Sequence, residues 1–246
     1  MSIGRRRRGG LSPGGGFSPR AIPGLIFYVD ASYITGLNDG DSVTTWNDLS
    51  GNGYNATQTT AAQKPIYKKV IINNKDIVRV DPTDDSMFGT FPTLNANATV
   101  VFVGIITTHA INARLWHGRT DVNNYIVLIE GDSGGNIRLR AQTNFNSTVT
   151  SQMGNTNIAA STAFIGSLIF SSGNTIALWV NGTSQTVSAQ GAIGAPATDN
   201  TYRIRTTTVL NALDVAAIAY YNTNISVNNL ARLHSYFSSR FAIALS

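Results

Sequence analysis

The stretch Trp46-Asn47-Asp48-Leu49-Ser50-Gly51-Asn52-Gly53 decides how this chain is interpreted. A short apolar run at residues 26–30 precedes it, and Pro65-Ile66-Tyr67 follows it. The Asp, Ser and Asn side chains of such a stretch bond their own backbone, and its two glycines adopt the left-handed conformations that tight loops need. We therefore expect a compact turn that Trp46 anchors to a hydrophobic core.

From residue 25 onward, short apolar runs alternate with clusters of turn residues. Apolar residues at 137, 139 and 141 alternate with Arg138, Arg140 and Gln142, which is the period of a half-buried strand. Residues 99–107 are nearly all apolar, as expected of a central strand covered on both faces. Asn181-Gly182 reads as a hairpin turn. Many short strands between such turns predict an antiparallel sandwich.

One helix is predicted near the end of the sequence. Leu230, Leu233, Phe237 and Phe241 recur at spacings of three and four, and Ser226 precedes them as a candidate N-cap. We expect this apolar stripe to pack back on the sandwich or to face a neighbouring subunit.

A set of motifs spans residues 25–246. They are Phe27-Tyr28-Val29-Asp30, Trp46-x-Asp48-Leu49-Ser50-Gly51-Asn52-Gly53, Ala56-Thr57-Gln58, Pro65-x-Tyr67, Val78-Arg79-Val80-Asp81, Ile176-Ala177-Leu178-Trp179-Val180-Asn181-Gly182 and Val215-Ala216-Ala217-Ile218-Ala219-Tyr220-Tyr221. Together they resemble the concanavalin A-like (laminin-G-like) jelly-roll domains of bacterial surface proteins and phage structural proteins. The resemblance implies an all-β fold, a two-sheet antiparallel jelly-roll sandwich with one C-terminal helix. This fold hosts glycan binding, hydrolysis and scaffolding alike, so it does not decide function.

The N-terminal segment has a different composition. Residues 1–24 contain Arg5, Arg6, Arg7, Arg8 and Arg20, many glycines and no acidic residue. The whole chain has 18 basic and 13 acidic residues, so without these five the remainder is neutral and the net charge of +5 belongs to this segment. Such a composition buries too little apolar surface to fold alone. We divide the chain into an extended docking arm, residues 1–24, and a jelly-roll domain, residues 25–246, and expect the arm's arginines to meet carboxylates or phosphates of a partner.

Composition also limits the environments and partners. The chain has no cysteine, so no disulfide framework is expected. No apolar run reaches the roughly 18 residues of a membrane helix, and no apolar core follows the basic start as in a secretion signal. Nucleic acid is not a favoured partner, because four or five arginines would give a salt slope of only about −4 and no aromatic residue is interleaved among them.

Hydrolysis is not expected. Retaining glucanases of this fold carry two glutamates on one strand, because their mechanism needs a nucleophile and an acid about 5 Å apart. This sequence has one glutamate, Glu130, followed by Asp132. His109, His117 and His234 form no metal-ligand pair, and no nucleophile motif is present. We therefore assign no catalytic residue.

Two kinds of binding residue are candidates. Asp81, Asp84 and Asp85 form the densest acidic cluster. The cluster predicts either a turn or a calcium site, and calcium is the one cofactor that the sequence suggests. Tyr54 and Trp116 are the candidate surface aromatics for a sugar ring, whereas Trp46 and Trp179 are expected in the core.

These observations predict a non-enzymatic virion structural protein of a bacteriophage, either a capsid decoration protein or a tail-associated protein. The arm would anchor it to capsid or tail proteins on the particle surface, and we expect a homo-oligomer, with a trimer as the specific hypothesis. The alternative is a glycan-binding adhesin or receptor-binding module.

Overall fold

The computed structural model describes residues 16–90, 94, 97–108, 113–121, 124–131, 136–145, 147–172, 175–192, 201–204 and 212–246. The strands are β1 (Leu25–Asp30), β2 (Thr45–Trp46), β3 (Ala56–Thr57), β4 (Ile66–Ile72), β5 (Lys75–Val80), β6 (Met87–Gly89), β7 (Ala98–Ile106), β8 (Arg114–Asp121), β9 (Asn124–Gly131), β10 (Arg138–Phe145), β11 (Thr148–Gly154), β12 (Ala163–Ser171), β13 (Thr175–Val180), β14 (Thr183–Ser184), β15 (Val187–Ala189), β16 (Tyr202–Ile204) and β17 (Leu213–Tyr221). One α-helix, α1 (Val227–Phe241), follows them, and short 3₁₀ turns lie at Pro19–Ala21, Ala31–Tyr33 and Ala61–Gln63.

The strands form two antiparallel sheets, as the sequence predicts. Sheet A has the order β14-β13-β12-β7-β17-β5-β4, and β1 pairs with β17 beside β5. Sheet B has the order β15-β11-β10-β9-β8-β16-β6-β3-β2. The predicted all-apolar strand, β7, lies between β12 and β17 and is buried along almost its whole length.

The turn after Trp46 is built as its sequence predicts. Asp48 Oδ1 accepts hydrogen bonds from Tyr28 N at 3.0 Å and Ser50 N at 2.8 Å, which joins the turn to β1. Gly51 and Gly53 have φ values of 98° and 79°. Trp46 is 1% exposed in the main core. The Asn52 side chain bonds the β1 carbonyls of residues 25 and 26 and so adds a second link to that strand.

The sequence predicts one strand over residues 183–187, and this prediction is wrong in its extent. Residues 183–187 do not form one strand, because the chain changes sheets there: β14 pairs with β13 in sheet A, whereas β15 pairs with β11 in sheet B. The sequence also does not predict the strand β11, because its residues are mostly polar and its first half is exposed or half-buried.

Two hydrophobic cores hold the molecule together. The main core lies between the sheets, where Trp116 of β8 stacks on Tyr220 of β17 with ring centroids 5.4 Å apart. The second core lies on the other face of sheet A, where α1 covers residues such as Val101 and Ile165. The helix begins after Ser226, whose Oγ accepts from Asn229 N at 3.2 Å, as predicted. No described helix is long and apolar enough to cross a membrane.

Residues 17–22, which precede β1, are part of the folded body. Ile22 is 2% exposed in the second core, and the Tyr221 hydroxyl donates to the Pro19 carbonyl at 3.0 Å. Arg20 Nε donates to the Ser50 carbonyl at 3.4 Å. Residues 17–22 lie within the predicted arm, residues 1–24, but they pack against the sandwich.

Candidate binding groove

A cavity lies along α1. We call this cavity, of about 900 Å³, the helix groove. Its walls are the exposed side of α1, the turn between β4 and β5, and the ring of Phe17. The lining residues are Phe17, Asn73, Asn74, Lys75, Ala231, Arg232, Ser235, Tyr236, Ser239 and Arg240. Its volume is in the range of small-ligand sites.

A second cavity adjoins the helix groove. This side pocket, of about 520 Å³, shares Phe17, Tyr236 and Arg240 with the groove. Tyr33, which is 53% exposed, and Arg20 also line this side pocket. The two cavities therefore lie on either side of a common aromatic and cationic wall.

The N-terminal segment places Phe17 in that wall. Its ring meets the Tyr236 ring edge to face, with centroids 5.9 Å apart. The Arg232 guanidinium lies over the Phe17 ring, 4.5 Å from its centroid. Pro19 and Ile22 anchor this segment to the sandwich. Tertiary packing therefore holds the Phe17 ring at the groove.

A buried polar network fixes the other part of the wall. Arg240 Nε of α1 and Asp30 Oδ2 of β1 are 2.5 Å apart. The Tyr28 hydroxyl donates to Asp30 Oδ2 at 3.2 Å and lies 3.3 Å from the Tyr236 hydroxyl. These contacts tie α1 to β1 and set the direction of Tyr236 and Arg240.

The network also sets the protonation states. Burial opposes the charge on Arg240, but the hydrogen bond and attraction to Asp30 outweigh it and raise the pKa of the guanidinium. Burial, followed by the neighbouring Asp30 charge, raises the pKa of Tyr28. Burial also raises the pKa of Tyr236. Arg240 therefore stays charged, and both phenols stay neutral hydrogen-bonding groups at neutral pH.

The opposite wall is a tight turn. Asn73 and Asn74 have φ values of 45° and 55°, which asparagine adopts more readily than most residues. They lie between Ile72 and Lys75, the ends of β4 and β5. The turn thus presents two exposed amides beside the Lys75 cation.

The lining residues define what the groove can do. They offer aromatic rings, amides, hydroxyls and three cations, and none of the described lining residues of the helix groove is acidic. No carboxylate pair for glycoside hydrolysis is therefore present in its described lining. The arrangement is suited to binding a polar or anionic ligand.

The predicted surface aromatics lie elsewhere. Trp116 is 0% exposed, so the expectation that it lies on the surface is wrong: its β8 position faces the main core and Tyr220. Tyr54 is half-buried in the turn, with its N–H donating to Asp48 Oδ2 at 3.1 Å. The structure does not bring these two residues together with the helix groove.

The predicted acidic cluster is brought together. Carboxylate oxygens of Asp81, Asp84 and Asp85 lie within 4.8 Å of one another. Asp85 Oδ2 accepts from Asp81 N at 3.0 Å, and Asp81 Oδ1 accepts from Thr83 N at 2.7 Å, so the cluster also serves the turn. Calcium binding at this cluster stays a prediction, because calcium needs six to eight oxygen ligands.

Several predicted residues fall outside the described part of the chain. These are Arg5, Arg6, Arg7, Arg8, His109 and Asp132, together with the side chain of Glu130. Arg20, the fifth docking arginine, lies at the side pocket and bonds its own chain at Ser50. His117 and His234 are both buried.

The groove residues are not among the binding residues predicted from the sequence, although the residue spacing in α1 groups five of them on one face. Residues 232, 235, 236, 239 and 240 recur at spacings of three and four, and therefore share the face opposite the apolar stripe. On that face, Tyr236 lies between Arg232 and Arg240 in the sequence. Phe17 gave no comparable signal within a glycine-rich and proline-rich segment.

Comparison with known proteins defines the fold class. No protein-family model and no curated protein matches the sequence. Solved structures do match: the binding domain of Paraclostridial Mosquitocidal Protein 1 has a TM-score of 0.63 and 12% identity, over 89% of this chain and 53% of that one. The receptor-binding domain of botulinum neurotoxin type G has a TM-score of 0.59 and 11% identity, over 87% and 51%.

A third similar structure was solved with a ligand. The ligand-binding domain of botulinum neurotoxin serotype D, in complex with N-acetylneuraminic acid, has a TM-score of 0.63 and 11% identity, over 89% of this chain and 53% of that chain. The present chain thus spans about half the length of these domains. At such identities the similarity establishes the two-sheet β-sandwich fold and no ligand.

Proposed function

We propose that this protein is a non-catalytic carbohydrate-binding module whose ligand occupies the helix groove. One observation carries the proposal: a groove of about 900 Å³ combines aromatic rings with amides, hydroxyls and cations on fixed elements. Saccharides need this combination, because ring C–H faces pack on aromatics while hydroxyls exchange hydrogen bonds with polar side chains.

The groove is preorganised for such a ligand. Phe17 is held by the anchored N-terminal segment, and Arg240 by Asp30. Rigid walls reduce the entropy lost on binding. The comparisons are consistent with this proposal, since the similar domains are receptor-binding domains and one is complexed with N-acetylneuraminic acid.

The test is a panel of immobilised glycans probed with the full-length protein, with and without calcium. We expect at least one glycan class to bind. Phe17→Ser removes a ring of the groove wall and should weaken that binding about tenfold or more, as for an aromatic hot spot. Tyr54→Ser is the matched control, because Tyr54 lies outside both cavities. No binding by any glycan, or an equal loss in the two variants, would contradict the proposal.

A second function is proposed from the sequence, because the net charge of +5 belongs to residues 1–24. In this hypothesis, the module is attached to a phage capsid or tail by Arg5, Arg6, Arg7 and Arg8, and is displayed on the virion as a homotrimer. Since residues 17–22 pack on the body, the test should leave them intact. Replacing the four arginines by serine should abolish co-sedimentation with the particle without changing oligomer mass. Unchanged co-sedimentation would exclude arginine-dependent attachment.

A further inference from the structure

We propose that the ligand of the helix groove is a carboxylated saccharide, with its carboxylate bound between Lys75 and Arg232. This inference rests on the proposed carbohydrate-binding function and adds the chemical class of the ligand.

The charge of the groove is one-sided. Lys75, Arg232 and Arg240 line it, and no described lining residue is acidic. Arg240 is paired with Asp30, whereas the ion pairs between described residues include neither Lys75 nor Arg232. Two cations on facing walls would therefore meet a ligand anion with little competition from within the described groove.

Arg232 is oriented for this role. Its guanidinium stacks on the Phe17 ring at 4.5 Å, and Nη1 donates to Asn229 Oδ1 at 3.3 Å. The planar guanidinium matches the two oxygens of a carboxylate, and its stacking on Phe17 fixes the direction of the remaining N–H donors. Lys75 contributes a mobile point charge from the opposite wall.

The rest of the groove matches a sugar rather than a simple anion. Ser235 and Ser239 are one helical turn apart on α1 and line the same groove as the amides of Asn73 and Asn74. These groups exchange hydrogen bonds with neutral hydroxyls, and Tyr236 supplies an aromatic surface. A ligand that carries one carboxylate and several hydroxyls would bind both the two cations and these neutral hydrogen-bonding groups.

The test compares pairs of oligosaccharides that differ only at the carboxyl group. The probes are sialylated and uronate-containing glycans and the same glycans after reduction of the carboxyl to an alcohol, titrated into the full-length protein by calorimetry. We expect the acid of at least one pair to bind at least tenfold more tightly than its reduced form. That preference should decrease as salt rises from 50 to 500 mM, because ions screen exposed charges.

Variants locate the effect. Arg232→Gln and Lys75→Gln should each weaken binding of the acid about tenfold and leave binding of the reduced form unchanged. Lys69→Gln is the control, since Lys69 is an exposed lysine of the same hairpin outside the groove. Equal binding of acid and reduced forms would overturn the carboxylate assignment and leave the carbohydrate function standing. Binding of neither form from any pair would also overturn the carboxylate assignment, and the carbohydrate function would be contradicted only if no glycan of the whole panel bound.

Discussion

The two faces of sheet A are covered in different ways. Its inner face packs against sheet B, and the buried residues between the two sheets form one continuous cluster. Its outer face is covered by one helix and the short segment at residues 17–22. This second cover is incomplete, and the helix groove and side pocket lie where it ends.

The difference separates stability from binding. Side chains on the inner face form the apolar core, whereas the outer face also holds the charged Asp30–Arg240 pair and the hydroxyls bonded to it. Substitutions on the inner face should therefore change the free energy of unfolding alone, and substitutions at the outer cover should change binding as well.

The largest effect is expected on the inner face. Trp116→Ala deletes a fully buried ring that stacks on Tyr220 and should lower the free energy of unfolding by about 4 kcal/mol. Urea unfolding measures this loss. Glycan affinity per folded molecule should stay unchanged, and a loss of affinity in the folded fraction would break the separation between the two faces.

The next effect concerns the network under the groove. Asp30→Asn leaves the Arg240 cation without its carboxylate and should cost about 3 kcal/mol in the same unfolding measurement. It should also weaken glycan binding, because Arg240 and Tyr236 lose a fixed neighbour. Asp39→Asn, which breaks the exposed pair with Lys68, is the control and should change neither quantity appreciably. If Asp39→Asn lowered stability and glycan affinity as much as Asp30→Asn does, burial of the Asp30–Arg240 pair would not explain its effect.

A smaller effect depends on pH. His234 of α1 lies against sheet A, with Nε2 2.8 Å from Ser167 Oγ, and burial lowers the pKa of His234 to about 4 from its ordinary value of 6.5. Between these values, the unfolded chain binds a proton that the folded chain does not, so stability falls as pH falls. The loss should reach about 2 kcal/mol at pH 5 relative to pH 7.

His234→Gln supplies the control for that pH dependence. Glutamine keeps a hydrogen-bond partner for Ser167 but does not titrate, so the slope of stability against pH from 6.5 to 4 should become flatter by roughly 1 kcal/mol per pH unit. Urea unfolding at several pH values checks it. The same slope in the variant and the wild type would show that other groups cause the acid sensitivity.

The fold could be predicted from the sequence because its signals are local. The turn after Trp46, the apolar β7, the Asn181-Gly182 turn and the Ser226 cap each combine residue type with position, and the structure confirms them. The change of sheet between β14 and β15 could not be predicted, since strand period does not tell which neighbour a strand pairs with.

The groove could be predicted only in part. The polar stripe of α1 is visible in the sequence, but its meeting with Asn74 and Phe17 depends on how distant segments pack. Trp116 shows the reverse problem. It was expected on the surface, but its position in β8 faces the core, and one residue of strand register decides between the two.

The most direct test of the account is to map a bound glycan on the full-length protein by backbone amide chemical-shift changes during a titration with a glycan that binds in the panel. The account predicts that the largest changes fall at residues 17, 73–75 and 231–240, around the helix groove. Changes centred on Tyr54, with residues 231–240 unaffected, would contradict it and place the binding site at Tyr54.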